Sequence, residues 1–288
     1  MNVKTIAVIG AGTMGRGIAY AAALAGYDTI LEDVRPQALE GALAWIRRAL
    51  EEGVARGKVE AEDARAALVR LRTAARVEDA ADADLVIEAA PEEMELKTEL
   101  FGMLDKFTRA ETILATNTSS LSIAEMAGVT HRPQLCVGMH FFNPVPKMKL
   151  IELVRAAETS EATLAACREV ARRMGKEVVT VRESPGFVTS RINALIGNEA
   201  FAMLEAGIAS AEDIDKALKL GLNHPMGPFE LVDLVGLDVR LSILEYLHQT
   251  LGEKYRPSPL LRRFVAEGRL GRKVGRGVYE YPKEDSGG

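Results

Sequence analysis

The sequence predicts an α/β fold with a doubly wound, mostly parallel sheet, followed by an all-helical C-terminal domain. Three observations carry this expectation. Short β-rich runs alternate with longer Ala- and Leu-rich stretches over the first two thirds of the chain, a glycine-rich turn follows the first run, and the strand texture stops after "SPGF" at Ser184 to Phe187. Strands separated by amphipathic helices pair in parallel, because each crossover returns over a face of the sheet, and both faces end up covered.

The strand candidates come in order: "TIAVIG" from Thr5, "DTILED" from Asp28, "DLVIEAA" from Asp84, "TILATNTS" from Thr112, "LCVGMHFF" from Leu135, "KLIELV" from Lys149 and "EVVTV" from Glu177. Helical spacing fills several of the gaps between them. From Phe187 to about Glu267 no good strand occurs, and helical spacing is broken by "GLNHPMGP" and "RPSP". A boundary near Pro185 therefore divides residues 1–185 from a helical region, 186–288. In the second region Pro228 suits a first helical position, and Gly236 is expected inside an apolar helix at a close helix crossing. The "EDSGG" tail reads as disordered.

Composition narrows the function classes. With 48% hydrophobic residues, a chain of 288 residues can bury a core large enough for two domains. The formal charge of −5 comes from interspersed acids and bases without a long single-sign block, which argues against nucleic acid as the main partner. Cys136 and Cys167 stand apart among apolar neighbours, so they read as buried thiols in a reducing compartment rather than a disulfide or a metal site. The N-terminus runs straight into the first strand pattern without a targeting segment, and no apolar run approaches the roughly 20 residues of a membrane span. The expected location is the cytoplasm.

"VIGAGTMGRG" sets Gly10, Gly12 and Gly15 in G-x-G-x-x-G register between a strand and a helix that opens at about Thr13. This is the dinucleotide-binding fingerprint of a Rossmann-type domain. Gly10 permits the tight turn, Gly12 lets the backbone approach a pyrophosphate, and Gly15 lets helix and strand pack closely. Amides at the helix start, at Thr13 and Met14, then face the anion. The second strand ends in Glu32 and Asp33, and Asp33 is the better candidate for the adenine ribose. A carboxylate there repels a 2′-phosphate and favours NAD. Arg35, two residues on, could neutralise that phosphate and keeps NADP use open.

The chain has four histidines, and His140 stands in "GMHFFNPVPKMKLIELV" at the end of an apolar run. Pro144 and Pro146 mark a turn before the next strand. For a hairpin centred near Pro146, residues facing each other have numbers summing to 292, which sets Glu152 opposite His140. A carboxylate beside an imidazole fixes its tautomer and stabilises its protonated form, as a general base requires. Upstream, "ATNTSSLSI" places Asn117, Ser119 and Ser120 at the carboxyl end of a strand, where α/β sheets bind ligands, although Ser119 or Ser120 could equally cap a helix.

The ordered motifs "VIGAGTMGRGIA", "ATNTSSLSI", "GMHFFNPVPKMKLIELV", "SPGFVTSR", "NHPMGPFELVDLVGLD" and "GRKVGRGVYEY" resemble the bacterial short-chain L-3-hydroxyacyl-CoA dehydrogenases from Val3 to Tyr281. The resemblance implies an NAD(P)-binding domain, a helical domain for substrate and dimerisation, and an acyl-CoA substrate, 3-hydroxybutyryl-CoA first. It implies His140 as catalytic base, Glu152 as its partner, and Ser119 on the substrate's 3-oxygen. Asn143, Glu92 and Lys97 become cofactor contacts, and Lys58 meets the CoA portion. Ser190 stands where the family usually has asparagine against the acyl group, a contact that Asn193 and Asn198 on the same helix could share. A dehydrogenase for longer or dicarboxylic thioesters such as 3-hydroxyadipyl-CoA, and a non-catalytic nucleotide-binding protein on the same fold, are the alternatives. The β-hydroxyacid dehydrogenases would need a lysine in the helix after the boundary, and no Lys occurs between Gly186 and Ala206.

Overall fold

The structure is a computed structural model that describes residues 2–282; the "EDSGG" tail lies outside the described residues. Two compact units divide the chain, Met1–Ser184 and Pro185–Gly288.

The first unit carries one eight-stranded sheet. Its strands are β1 (Thr5–Ile9), β2 (Asp28–Glu32), β3 (Leu71–Ala74), β4 (Leu85–Glu88), β5 (Ile113–Thr116), β6 (Cys136–Phe141), β7 (Leu150–Arg155) and β8 (Glu177–Arg182), in the spatial order 3-2-1-4-5-6-7-8. Every neighbouring pair is parallel except β6 and β7. The order reverses direction between β1 and β4, which opens the crevice where doubly wound sheets take their ligands. The β3 strand was not among the sequence candidates. It is four residues long, pairs on one side only, and exposes Arg72 and Thr73, so its sequence lacks the apolar run of a central strand.

Helices α1 (Thr13–Leu24), α2 (Pro36–Ala55) and α6 (Glu161–Arg173) supply Ile18, Ile46 and Val170 to a core with Val8, Leu31 and Met139. On the opposite face α4 (Met94–Phe107) and α5 (Ile123–Ala127) supply Phe101, Leu104 and Met126 to a core with Ala7, Ile30 and Leu114. Burial on both faces is why the central strands read as continuous apolar runs. A short α3 (Ala61–Arg70) follows α2.

Strand alternation also separates two adjacent acids. Glu32 is 2% exposed, and its Oε1 has no partner among the described residues. Burial first, and then the neighbouring Asp33, push its carboxyl up from 4.5 to about 7. The folded chain therefore holds a proton that the unfolded chain has released, and stability falls as pH rises through the window from 4.5 to about 7. Glu32→Gln should leave Tm nearly unchanged at pH 5 and raise it by a few degrees at pH 8. Thermal scans that shift equally at both pH values would refute this.

The second unit holds α7 (Thr189–Glu205), α8 (Ala211–Gly221), α9 (Pro228–Val235), α10 (Leu237–Leu251) and α11 (Pro259–Ala266). Ala194, Phe201, Phe229, Leu244 and Leu261 form its core, with the Phe201 and Phe229 rings edge to face at 5.2 Å. Pro228 opens α9, but Gly236 is not inside a helix. It ends α9 at φ +111°, a conformation that side-chain-bearing residues rarely adopt, and α10 starts afresh. Asp233 and Asp215 tie the C-terminal segment down. Asp233 accepts from Val278 N, Tyr279 N and the Tyr281 hydroxyl at 2.8–2.9 Å, and Asp215 accepts from Phe229 N, Glu230 N and the Tyr279 hydroxyl at 2.8–3.0 Å.

Candidate active site

The carboxyl ends of β1, β2, β4, β5 and β6, with Glu152 on the neighbouring β7, gather the residues singled out in the first unit apart from Lys58. After β1 the chain turns at Gly10, where φ is +100° and a Cβ would lie 2.8 Å from Ala89 O. At Gly15 a Cβ would lie 1.7 Å from Gly10 O, so helix and strand meet at glycine distance only. Gly12, by contrast, has open space around it. It caps α1 without a side-chain hydrogen bond, so the amides at Thr13 and Met14 begin a helix whose end is unsatisfied. An uncapped N-terminus under open space fits a pyrophosphate.

Asp33 stands beside this turn, 6% exposed, with Oδ2 accepting Ala11 N at 2.9 Å and Oδ1 accepting Arg35 N at 2.9 Å. The exposed Arg35 guanidinium adds contacts at 3.2 and 3.3 Å. Burial works against the Asp33 charge, but the hydrogen bonds from Arg35 and Ala11 outweigh it and hold the carboxyl below its usual range. A charged carboxylate here fits ribose hydroxyls and opposes a phosphate, and the guanidinium of Arg35 is already engaged with it.

Between β4 and β5 lies a network of two carboxylates and one ammonium. Glu88 is fully buried at the end of β4, and it accepts from Ala90 N, Lys97 Nζ and the Thr116 hydroxyl, each at 2.6 Å. Lys97, on α4, is 1% exposed, with Nζ also 3.2 Å from Ala90 O and 3.5 Å from Glu92 Oε2. The other oxygen of Glu92 accepts from the Thr118 hydroxyl at 2.6 Å, Ser119 N at 2.9 Å and the Ser119 hydroxyl at 3.3 Å. Ser119 thus points its proton at Glu92 and belongs to a braced turn. The capping role falls to Ser122, whose side chain accepts from Glu125 N at the start of α5.

His140 follows in β6. The antiparallel pairing sets it directly opposite Glu152 on β7, as the proline-marked turn requires. Nδ1 lies 2.8 Å from Glu152 Oε2; the carboxylate is fully buried and the histidine 7% exposed. Phe142 leans on the imidazole at a centroid distance of 4.5 Å. Asn117 Oδ1 accepts from Phe141 N at 2.9 Å, so that side chain ties the Ser119 turn to the His140 strand. The following turn, with Asn143 exposed, is held by Lys176, whose Nζ donates to Val145 O and, at 2.7 Å, to Met148 O. An imidazole backed by a buried carboxylate can take and return a proton.

Lys58 is exposed between α2 and α3, on a cleft of about 920 Å³ in the first unit. Arg48, Arg56, Lys147 and Lys176 line the same cleft against one acid, Glu52. In the second unit Ser190 and Asn193 sit near the start of α7. Asn198, farther along that helix, is committed elsewhere. Its amide donates to Arg256 O at 3.0 Å and accepts from Ser258 N at 2.8 Å, pinning the start of α11. Both cysteines are buried, and burial pushes their thiols up to about 11 for Cys136 and about 12 for Cys167. Among the described residues no helix is long and apolar enough to cross a membrane.

Glu88, Thr116 and Thr118 escaped the sequence reading. The available signal was an acid ending the apolar run "DLVIE", since a buried strand end tolerates a carboxylate only with partners.

Comparison with known proteins identifies the family. Residues 5–184 match the family model "3-hydroxyacyl-CoA dehydrogenase, NAD binding domain", and residues 186–281 match its C-terminal domain. A probable 3-hydroxybutyryl-CoA dehydrogenase of Bacillus subtilis is 47% identical over 99% of this chain and 100% of its own length. A 3-hydroxybutyryl-CoA dehydrogenase of Bradyrhizobium diazoefficiens is 45% identical over 97% of this chain and 96% of its own. The crystal structure of (S)-3-hydroxybutyryl-CoA dehydrogenase from Ralstonia eutropha superposes with a TM-score of 0.95 at 43% identity, covering 98% of this chain and 100% of that one. With both halves of the sequence matched and the dinucleotide cradle formed at the sheet edge, the chain belongs to the NAD-dependent 3-hydroxyacyl-CoA dehydrogenase family.

Proposed function

We propose that this dehydrogenase interconverts L-3-hydroxybutyryl-CoA and acetoacetyl-CoA, with His140 as the acid–base residue. The buried His140–Glu152 pair, beside the Ser119 turn at the carboxyl edge of the sheet, is the observation that carries the reading. When bound, NAD supplies the hydride acceptor at C3, and NADH the donor in the reverse direction. His140 removes the proton of the 3-hydroxyl in one direction and returns it in the other. Glu152 orients the ring through Nδ1 and balances the imidazolium. Ser119 meets the 3-oxygen. The cations around Lys58 suit the phosphates of CoA. On the cofactor side the reading assigns the pyrophosphate to the Gly10–Gly15 turn and the ribose to Asp33, with Glu92, Lys97, Asn117 and Asn143 lining the remainder.

A spectrophotometric assay tests this. Acetoacetyl-CoA and a longer 3-ketoacyl-CoA are each offered with NADH and with NADPH. Acetoacetyl-CoA with NADH should give the largest kcat/KM, about tenfold or more above NADPH. Absence of NADH oxidation with either thioester refutes the reaction, and preference for the longer thioester refutes the chain length. We further propose a cytoplasmic homodimer: two buried free thiols suit a reducing compartment, and the helical unit exposes Ile208, Leu220, Leu222 and Leu234. Light scattering at the mass of one chain would remove the dimer.

A further inference from the structure

We propose that the buried Glu88–Lys97 pair is a positioning element that sets the Ser119 turn by two routes, both of which meet at Thr118 and Ser119. The proposal rests on the reading of Ser119 as the residue that meets the substrate's 3-oxygen. The influence of Glu88 on Ser119 runs along two routes. On the first, Glu88 Oε2 accepts a hydrogen bond from the Thr116 hydroxyl at 2.6 Å, which orients that oxygen to accept from Thr118 N at 3.2 Å. On the second, Glu88 Oε1 holds Lys97 Nζ at 2.6 Å, and the same ammonium reaches Glu92 Oε2 at 3.5 Å. The far oxygen of Glu92 then receives the Thr118 hydroxyl, Ser119 N and the Ser119 hydroxyl.

Two carboxylates therefore share one ammonium, and Glu88 has the shorter contact. That division decides how much of the lysine's field falls on Glu92, and so how firmly Glu92 holds the hydrogen bond from the Ser119 hydroxyl. Removing the charge of Glu88 shifts Lys97 toward Glu92 and releases Thr116, so both supports of the turn change together. Burial makes the arrangement sensitive: Glu88 and Thr116 are fully buried and Lys97 is 1% exposed, where screening by water is weakest.

A double-mutant cycle separates positioning from general stability. Glu88→Gln should lower kcat about tenfold, and the loss should shrink to less than about twofold in a Ser119→Ala background. Thr116→Val, which removes the hydroxyl but keeps the shape, should show the same dependence on Ser119, and it serves if Glu88→Gln fails to fold. Equal losses in both backgrounds, or none in either, overturn the positioning role while leaving Ser119 in place. If Ser119→Ala alone turns over like the parent, the reading of Ser119 fails, and the relay with it.

Discussion

His140→Gln should lower kcat by on the order of 10²-fold or more while leaving the dissociation constant for NADH nearly unchanged. The physical ground is the pairing at 2.8 Å between Nδ1 and a carboxylate that water does not reach. Glutamine approximates the ring's length and polarity but cannot take up a proton. Cofactor binding should be spared because the glycine turn and Asp33 lie at the ends of β1 and β2, which are separated from β6 by β4 and β5. Stopped-flow turnover and fluorescence titration with NADH separate the two quantities. Turnover near that of the parent would return His140 to the status of an ordinary core histidine, a common fate for an imidazole among aromatic rings.

The second large effect concerns stability. Asp233→Ala should destabilise the protein by about 3–5 kcal/mol, since it orphans three buried or half-buried donors at once. Those donors are Val278 N, Tyr279 N and the Tyr281 hydroxyl, all within 2.9 Å of the carboxylate. Packing around it is tight: a Cβ at Gly277 would lie 2.0 Å from Asp233 Oδ1. Alanine leaves a polar void that the segment cannot close. Urea unfolding, together with amide exchange at residues 271–281, reports the loss; a change below about 1 kcal/mol would show that the clamp contributes little.

Much of the first unit was legible because its signals are local. A glycine fingerprint, a strand-end acid and a proline-marked hairpin each lie within a few dozen residues, and alternation along a strand says which side chains share a face. That is how Glu152 could be set opposite His140 without coordinates. The misses share a cause. Edge strand β3 lacks apolar patterning because solvent takes one of its sides, and Gly236 reads as helical because its neighbours are apolar while its backbone is not helical. Asn198 looked available from its helical spacing, yet its partners, Arg256 and Ser258, lie about 60 residues away.

The amino-acid sequence by itself determined seven of the eight strands, the nucleotide turn, the His140–Glu152 register and the family, because each depends on short-range periodicity or on motifs whose spacing encodes backbone geometry. Only the tertiary structure decided that Glu32 is buried with no partner for its Oε1 among the described residues, that Lys97 pairs with Glu88 at 2.6 Å, and that Ser119 hangs from Glu92. Burial and charge pairing are properties of side chains brought together from distant segments, and the free energy of an ionised group depends on what surrounds it rather than on its neighbours along the chain.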